Sequence, residues 1–342
     1  MADGSAGEVR LGFEDFSALL TDIFLYAGVP ENNARILAAN CAACERDGSI
    51  SHGIFRIAGY VASLKSGWVD GKAVPIVHDV GAAFIRTDAQ NGFAQPALAV
   101  STPLLVEKTK SYGTAVLAIQ DSHHFSALWP DLEPLARSGF IAISMVSGLA
   151  CVAPPGGRKA VMGTNPLAFA TPVADSDPLI FDFATSSMSN GDLRIAAREG
   201  QTVPMGAGVD KDGLLSSEPS KILDGGALLP FGGHKGAALS LMVEILASAL
   251  TGGQFSSEVD FAAYPGAETP RTGQLVIAID PKRGGNDLFP NRVAHLLQTL
   301  RNSGQARLPS DRRYSARRKS EKDGISITRD AYHHLRALAT SG

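Results

Sequence analysis

The sequence predicts an α/β fold, because patterns typical of helices and of strands alternate through the middle of the 342-residue chain. Glycine is frequent, with 36 residues, and aromatic side chains make up only 7% of the chain, which suits many tight turns better than an all-β architecture. Hydrophobic residues make up 44%, enough for a large core. No internal repeat and no low-complexity linker divides the sequence.

The N-terminal part of the chain has a helical pattern. Apolar residues recur at helical spacing over residues 13–26, and Gly28 and Pro30 then mark a break before a second helix over residues 31–46. A third helix is predicted over residues 56–66 and stops at Gly67. All three helices precede the first strand pattern.

The rest of the chain alternates between the two patterns. Strands are predicted over residues 75–80, 83–88, 114–120, 140–146, 167–170, 179–183 and 274–280. Helices are predicted over residues 96–112, 131–138, 236–250, 291–302 and 329–338. Residues 200–230 are rich in Gly, Pro and Asp, which predicts long loops, and residues 307–322 are strongly basic.

Charge and composition argue against several classes of partner. The formal net charge of −3 gives no reason to expect nucleic acid or an anionic membrane. The N-terminus has no basic region followed by an apolar stretch, so no signal peptide is visible. The most apolar predicted helix, over residues 236–250, is too short to span a bilayer and contains Glu244. These features predict a soluble cytoplasmic protein.

Two of the three cysteines, Cys41 and Cys44, have C-x-x-C spacing, which is compatible with a redox pair or half of a zinc site. No second pair of this kind follows, and the surrounding residues have a continuous helical pattern. We therefore interpret them as small buried residues. The histidines lie on separate loops without the spacing of a metal site, so no metal is predicted.

The most informative segment is the loop at residues 47–56, which follows the second helix. It carries His52 in a Ser-His-Gly sequence, flanked by Arg46 and Arg56. A histidine in a loop can transfer a proton near neutral pH, while neighbouring arginines can hold an anionic substrate. From these residues alone, a histidine that only makes structural hydrogen bonds is the alternative interpretation.

The usual dinucleotide fingerprint, G-x-G-x-x-G between a strand and a helix, is missing. Other loops nevertheless suit a nucleotide. Residues 122–128 follow a strand and precede a helix, so their backbone N–H groups can point at a phosphate. Residues 182–187 end a strand, where ligands collect in open α/β sheets, and residues 232–236 combine glycines with Lys235 ahead of a helix.

Three motifs give the chain a family resemblance: Ser-His-Gly at 51–53, Ser-His-His-Phe at 122–125 and Gly-Thr-Asn-Pro at 163–166. In this order they resemble the malate/L-lactate dehydrogenase family that lacks a Rossmann fold. Within it, the chain is similar to the members that reduce the cyclic ketimines Δ1-piperideine-2-carboxylate and Δ1-pyrroline-2-carboxylate. The resemblance covers nearly the whole chain. It implies a homodimer and a central mixed sheet surrounded by helices, with a helical portion at residues 1–75 that packs with residues 290–342, and an α/β cofactor and substrate region at residues 76–289.

The resemblance also implies a nicotinamide cofactor bound by scattered loops. The residues expected to contact it are Arg56, His124, Phe125, Ser126, Ala127, Leu128, Thr164, Asp182, Phe183, Ala184, His234, Lys235, Arg307, Arg312 and Arg313. The last three arginines could grip a 2′-phosphate bidentately, which favours NADPH over NADH. A solvated basic face is the alternative interpretation of this cluster. Malate-type members usually have Gly where Ser126 stands.

At the reacting centre, the resemblance implies that His52 is the general acid/base. Arg46 and Arg56 are expected to hold the substrate carboxylate and a cofactor phosphate, in an order that the sequence leaves open, and Thr164 is expected to orient the substrate. Ketimine-reducing members tend to have Ser in the helix before this loop. Residues 41–44 here have no hydroxyl, and Ala43 is among them, which predicts slower turnover or a shifted substrate preference.

Asp192 separates the two substrate classes. Malate-type members commonly have Lys at this position, which suits a carbonyl whose oxygen becomes negative during hydride attack. An aspartate opposes that charge and favours a protonated imine, and the ketimine-reducing members have Asp here; a surface aspartate that caps a turn is the alternative. The sequence therefore predicts an NADPH-dependent reductase that converts a small cyclic imino acid to L-pipecolate or L-proline. A malate- or lactate-type 2-oxoacid reductase and a ligand-binding protein without catalysis remain open.

Overall fold

The computed structural model describes residues 7–340, so the first six residues of the N-terminal stretch considered for a signal peptide lie outside the described part. The α-helices are α1 (Phe13–Tyr26), α2 (Glu31–Arg46), α3 (Ile57–Lys65), α4 (Ala94–Tyr112), α5 (Trp129–Arg137), α6 (Asn190–Arg198), α7 (Pro219–Leu223), α8 (His234–Val243), α9 (Phe289–Asn302), α10 (Asp311–Asp323) and α11 (Arg329–Leu338). The strands are β1 (Glu8–Leu11), β2 (Ile76–Gly81), β3 (Phe84–Phe93), β4 (Thr114–His123), β5 (Ile141–Val146), β6 (Leu167–Thr171), β7 (Leu179–Phe183), β8 (Gly208–Val209), β9 (Leu215–Ser216), β10 (Ala227–Leu228), β11 (Arg271–Ile279) and β12 (Ile325–Thr328). Short 3₁₀ turns form at Ile50–His52 and Ile54–Arg56.

Seven strands form a central mixed sheet in the order β2-β3-β4-β11-β5-β6-β7. Strands β3 and β4 run parallel, and the other neighbouring pairs run antiparallel. The middle strands β4 and β11 are largely buried, apolar segments, as expected for strands covered on both faces. The mixed α/β architecture predicted from the sequence is confirmed.

Helices α4 and α5 cover one face of this sheet. Helix α4 connects the parallel strands β3 and β4 and ends at Gly113, whose φ of 84° is the left-handed conformation that favours glycine. Its Leu105 belongs to the same core cluster as Ile85, Leu117 and Trp129. The loop between β4 and α5 is thereby held at one end of the sheet.

The two ends of the described chain form one structural unit. Strands β1 and β12 pair antiparallel, with Glu8 opposite Thr328. Phe16 and Leu20 of α1 share a second core cluster with Leu335 of α11, and the loop before α3 follows directly from this cluster. The segment that carries His52 is therefore supported by residues from both ends of the chain.

Two predicted segments differ from the structure. Residues 200–230, predicted as long loops, contain the short sheet β10-β8-β9 and helix α7, because Ile222 and Leu228 pack with Leu193 of α6 in a small core. The helix predicted over residues 236–250 begins at His234 and changes to π-helix over Glu244–Ala249. Hydrogen-bond geometry of this kind leaves no signal in the pattern of apolar residues.

Within residues 7–340, no helix combines the length and the apolar character that crossing a bilayer requires. No group of three or more His, Cys, Asp or Glu side chains is arranged to hold a metal ion in the same residues. Cys41 and Cys44 are free thiols buried in the core, and burial raises the pKa of Cys44 to about 12, so that thiol stays protonated.

Candidate active site

A cleft of about 740 Å³ collects residues from distant parts of the chain. Its walls come from the loop after α2, the loop after β4, the ends of β5 and β7, the segment before β11, and the starts of α6 and α10. Small-molecule and cofactor sites typically have volumes of roughly 300–1,000 Å³. The cleft is therefore the candidate active site.

Most residues that the sequence singled out meet in this cleft. Those that line it are His52, Arg56, His124, Phe125, Ser126, Ala127, Leu128, Thr164, Asp182, Phe183, Ala184, Asp192, Arg312 and Arg313. Arg46, His234, Lys235 and Arg307 do not line it.

Arg56 is fixed against the cleft wall. Its Nε donates to the carbonyl oxygen of Ser51 at 2.8 Å, and its guanidinium carbon lies 4.3 Å from the centroid of the Phe125 ring. Gly191 makes this position possible, because a Cβ atom there would lie 3.0 Å from Arg56 Nη2. Burial lowers the pKa of Arg56 to about 10, so the side chain is still a cation at neutral pH. A fixed, half-buried cation in a cleft is suited to bind an anionic ligand.

His52 lies on the 3₁₀ turn before Arg56. Its Nδ1 is 3.1 Å from Ser51 Oγ. Burial, and then the nearby charges of Arg56 and His124, lower the pKa of His52 to about 3. The imidazole is therefore neutral at neutral pH and can accept a proton or pass one on.

Arg46 faces a different surface. Its Nε donates to Asp47 Oδ1 at 2.6 Å, and its guanidinium lies over the Phe13 ring at 5.0 Å. It lines a separate depression of about 460 Å³ beside Arg10 and residues 320–325. Helix α2 ends at Arg46, and the chain then turns through Gly48, so the two arginines that flank His52 do not converge. Arg46 therefore does not face this cleft, and its role as a substrate ligand stays a prediction.

Asp192 lies in the first turn of α6, with its side chain exposed to the cleft. Ser189 is the N-cap of this helix, and its Oγ accepts a hydrogen bond from the backbone N–H of Asp192 at 3.0 Å. The capping role that the alternative interpretation gave to Asp192 belongs to Ser189 instead. The Asp192 carboxylate is thus left to face a ligand.

Hydrogen bonds of neighbouring residues hold the turn that carries Thr164. Asn165 has a φ of 41°, in the left-handed region, and is fully buried. Its Nδ2 donates to Glu244 Oε1 at 2.8 Å, and its Oδ1 accepts from the backbone N–H of Gly148 at 3.2 Å. The Thr164 carbonyl accepts from the N–H of Thr185 at 2.8 Å. These bonds fix the backbone at Thr164, which lines the cleft.

The two adjacent histidines of the 122–125 motif have different positions. His124 lines the cleft, whereas His123 is fully buried behind it. His123 Nε2 is 3.0 Å from Asn91 Oδ1, and its Nδ1 is 3.0 Å from Thr269 Oγ1. Burial lowers the pKa of His123 to about 3. His123 is a structural residue.

The loop after β4 does not offer all of its N–H groups to a phosphate, contrary to the expectation from its position before a helix. Asp182 Oδ2 accepts from the N–H groups of Leu128 at 3.0 Å and Trp129 at 3.3 Å, so this carboxylate caps α5. Burial raises the pKa of Asp182, and Arg313 opposes that effect through an ion pair of 3.4 Å. Asp182 and Arg313 therefore shape the cleft wall as a pair.

The remaining predicted cofactor residues lie on the surface. His234 and Lys235 begin α8 and are exposed, and Gly236 packs against the carbonyl oxygens of Phe231 and Thr185. This loop therefore supports the strand end that lines the cleft without reaching into it. Arg307 is exposed in the segment before α10.

The structure adds cleft residues that the sequence did not identify. Arg194 of α6 and Glu268 before β11 form an ion pair of 3.2 Å, and both line the cleft. Cys151 and Asn190 line it as well. Arg194 lies two residues after Asp192, so its proximity could have been inferred from the sequence; Glu268 is 74 residues farther along and left no comparable signal.

The donor set of the cleft fits an anionic nucleotide. Four arginines line it, and Arg312 is exposed, so its guanidinium can reach a phosphate. Phe125 and Phe183 supply flat apolar surface, and the serines of the segment 186–189 also line the cleft. Bidentate cations beside aromatic walls and short hydroxyls are the groups that phosphates and flat rings require.

Comparisons with known proteins agree with this arrangement. Residues 11–336 match the family model described as malate/L-lactate dehydrogenase. The chain is 57% identical over 321 residues to a Δ1-pyrroline-2-carboxylate/Δ1-piperideine-2-carboxylate reductase of Pseudomonas syringae pv. tomato, covering 94% of each chain. It is 52% identical to the protein of the same name from Pseudomonas putida, covering 98% of this chain and 99% of the relative.

Solved structures give the same result. The crystal structure of Δ1-piperideine-2-carboxylate reductase from P. syringae pv. tomato superposes with a TM-score of 0.95 at 55% identity, covering 96% of this chain and 99% of the other. Malate dehydrogenase from Entamoeba histolytica superposes with a TM-score of 0.90 at 25% identity, covering 98% of both chains. Sequence, fold and cleft together establish that this chain belongs to the malate/L-lactate dehydrogenase family.

Proposed function

We propose that this protein is an oxidoreductase that uses NADPH to reduce the C=N bond of cyclic ketimines, converting Δ1-piperideine-2-carboxylate to L-pipecolate and Δ1-pyrroline-2-carboxylate to L-proline. The observation that carries the proposal is that the Asp192 carboxylate, the His52 imidazole and the Arg56 guanidinium line one cleft. The relatives that are 57% and 52% identical are named for reduction of the same two substrates, which supports this assignment.

Arg56 is the proposed ligand of the substrate carboxylate. It is a cation held by Ser51 and Phe125, so it needs little reorganisation when an anion binds. Thr164 orients the substrate from the opposite turn, whose backbone is fixed by Asn165 and Thr185. The carboxylate and the reacting carbon are then held in a defined direction.

Asp192 is proposed to select the imine. A protonated imine carries positive charge next to the carbon that accepts hydride, and a carboxylate stabilises that charge. A 2-oxoacid instead develops negative charge on oxygen, which the same carboxylate destabilises. His52, whose imidazole is neutral at neutral pH, is proposed to relay the proton that the product nitrogen takes up.

The proposed cofactor site comprises the remaining residues of the cleft. NADPH, when bound, supplies the hydride. His124, Phe125, Ser126, Ala127 and Leu128 would form one wall and Asp182, Phe183 and Ala184 the other. Arg312 and Arg313 are the proposed partners of the 2′-phosphate, with Arg307, His234 and Lys235 as more distant polar groups around the same nucleotide.

We also propose a cytoplasmic homodimer. Helix α9 has an apolar stripe of Val293, Leu296 and Leu300, yet it contains no buried residue. Leu241 and Ile245, on α8 and its π-helical extension, are each at least half exposed. Surfaces of this kind are typical of obligate interfaces between copies. The net charge of −3 gives no attraction to nucleic acid or an anionic membrane.

The test is a substrate panel with purified protein, in which NADPH consumption is followed with the two cyclic imines, pyruvate and oxaloacetate at matched concentration. We expect turnover of the imines and little of the oxoacids. Asp192→Asn should lower kcat/KM for the imines by about tenfold, the loss of roughly one charge interaction. Asp177→Asn, which removes a charge outside the cleft, should have no effect. Preference for the oxoacids would refute the substrate assignment and leave the family assignment intact.

A further inference from the structure

His124 has a partner that the proposed reaction does not yet use. Its Nε2 lies 2.8 Å from Asp131 Oδ2, and each side chain is only 3% exposed. Asp131 is in the first turn of α5, seven residues after His124. A histidine in a cleft, backed by a buried carboxylate, is the arrangement that enzymes use to fix an imidazole ring and its tautomer.

A neighbouring amide holds Asp131 in its acceptor role. Gln274 Nε2, from β11, donates to Asp131 Oδ2 at 2.8 Å and to Ser144 Oγ at 3.1 Å. Within residues 7–340, Arg and Lys make no ion pair with Asp131. The reverse orientation of the Gln274 amide would place its oxygen against the carboxylate, which is unfavourable. Asp131 therefore accepts hydrogen bonds from both neighbours.

The tautomer of His124 follows from this network. The Asp131 oxygen that accepts from Gln274 also accepts from His124, which places a proton on His124 Nε2. Nδ1 of the neutral imidazole keeps its lone pair, and it has no hydrogen-bond partner among the described residues. The groups that face this pair from the surrounding elements are His52 on the 3₁₀ turn, Asp182 at the end of β7 and Gln274 on β11.

We propose that Asp131 is a positioning residue, which holds His124 in the tautomer whose Nδ1 accepts a hydrogen bond from the N–H of an imine in the cleft. The proposal rests on the proposed function for the identity of the substrate. A protonated imine has an N–H to donate, whereas a carbonyl oxygen has none and would be repelled by the lone pair. Asp131 thereby adds to the discrimination between imines and 2-oxoacids, at a distance from Asp192 along the chain.

Asp131→Leu tests the proposal. His124 Nε2 and Gln274 Nε2 both donate to Asp131 Oδ2, so an asparagine with its oxygen at that position would leave the tautomer unchanged, whereas leucine has no acceptor. The imidazole proton is then no longer held on Nε2. We expect kcat/KM for the cyclic imines to fall about 10- to 100-fold, as is typical when the partner of a functional histidine is changed. The residual pyruvate rate should be unchanged or higher, so the imine-to-pyruvate ratio falls. Asp177→Leu, at a half-exposed carboxylate outside the cleft, is the matched control and should keep both rates.

The second measurement does not depend on turnover. Long-range ¹H–¹⁵N spectra of the imidazole rings, with the signals of His124 assigned by His124→Asn, report which nitrogen carries the proton. We expect Nε2–H in the wild type and a mixture of the two tautomers in Asp131→Leu. An Nδ1–H tautomer in the wild type would overturn the proposal, even if the variant does not fold.

The outcomes also separate this proposal from the proposed function. Equal losses on imines and pyruvate, with unchanged melting and tautomer, would mean that Asp131 does not set the orientation of His124, and the proposal would fail. If the wild type does not reduce imines at all, the proposed function fails. The imidazole spectra then still show whether Asp131 fixes the ring.

Discussion

Arg46 and Arg56 flank the same histidine ten residues apart, but they serve different parts of the molecule. Arg56 lies in the cleft beside Phe125 and the start of α6, while Arg46 turns away to Asp47 and Phe13. The sequence makes the two equivalent, since both are cations next to Ser-His-Gly. Their surroundings differ because α2 ends at Arg46, whereas two 3₁₀ turns carry the chain to Arg56.

The two arginines differ in whether the protein itself supplies a charged hydrogen-bond partner. On the Arg46 side, the fully buried Asp47 accepts a hydrogen bond from Arg46. Asp47 also accepts hydrogen bonds from Arg317 of α10. On the Arg56 side, the nearest hydrogen-bond partner is a neutral carbonyl oxygen. Arg46 is therefore largely neutralised by the protein, and Arg56 keeps a charge that a ligand can use.

The largest effect is expected from Arg317→Met, which removes most of the support from Asp47. Arg317 Nη1 is 2.7 Å from Glu133 Oε1, and its side chain is 13% exposed. Breaking a buried pair costs about 3–5 kcal/mol, and Arg46 and Arg137 still partner the two carboxylates, so we expect a loss of about 3 kcal/mol. Urea unfolding measures it. Arg318→Met, exposed on the same helix, is the control; an equal loss there would contradict the assignment.

The next effect is expected on catalysis, from Arg56→Met. A buried charge-assisted hydrogen bond to a substrate contributes about 1.5–3 kcal/mol, so kcat/KM for the imines should fall roughly 100-fold. Arg56→Lys should recover only part of the loss, because an ammonium cannot bind bidentately. The matched variant is Arg46→Met, for which we expect kcat/KM within about threefold of the wild type. Similar losses of kcat/KM at both positions would contradict the different roles given to Arg46 and Arg56.

These arginines also illustrate how far the sequence predicts the site. The sequence predicts the α/β class, most element positions and the residues of the three motifs. These follow from the spacing of apolar residues, the turn residues and the order of the motifs, which are all visible along the chain. The direction of Arg46, the burial of His123 and the capping of α5 by Asp182 could not be predicted, because each depends on a contact across the fold. The ion pair of Arg194 with Glu268, 74 residues apart, is of the same kind.

The smallest effect is expected from Arg56→Met on the pH dependence of stability. The unfolded chain takes up protons on histidines near pH 6.5, while His52 and His123 stay neutral in the folded protein until about pH 3. The contribution of each histidine to the unfolding free energy is complete above pH 6.5 and is lost as the pH falls toward 3. The slope for each is at most about 1.4 kcal/mol per pH unit.

Arg56 is the second cause of the lowered pKa of His52, after burial. Arg56→Met should therefore raise that pKa and reduce the total decline in unfolding free energy between pH 6.5 and pH 3 by a few tenths of a kcal/mol, roughly the share of a secondary charge interaction. Urea unfolding at several pH values measures this. Arg46→Met should follow the wild-type curve, and a shallower curve there would show that Arg46 also acts on His52.

The pairing of β1 with β12 has a consequence for how the protein is made. The helical unit behind His52 needs residues 8–11 and residues 325–328 at the same time, although the ribosome releases the second group more than three hundred residues after the first. Chains fold as they emerge, and contacts between distant segments form late. The sheet can therefore assemble during translation, but the helical unit that supports His52 is completed only near the end of synthesis.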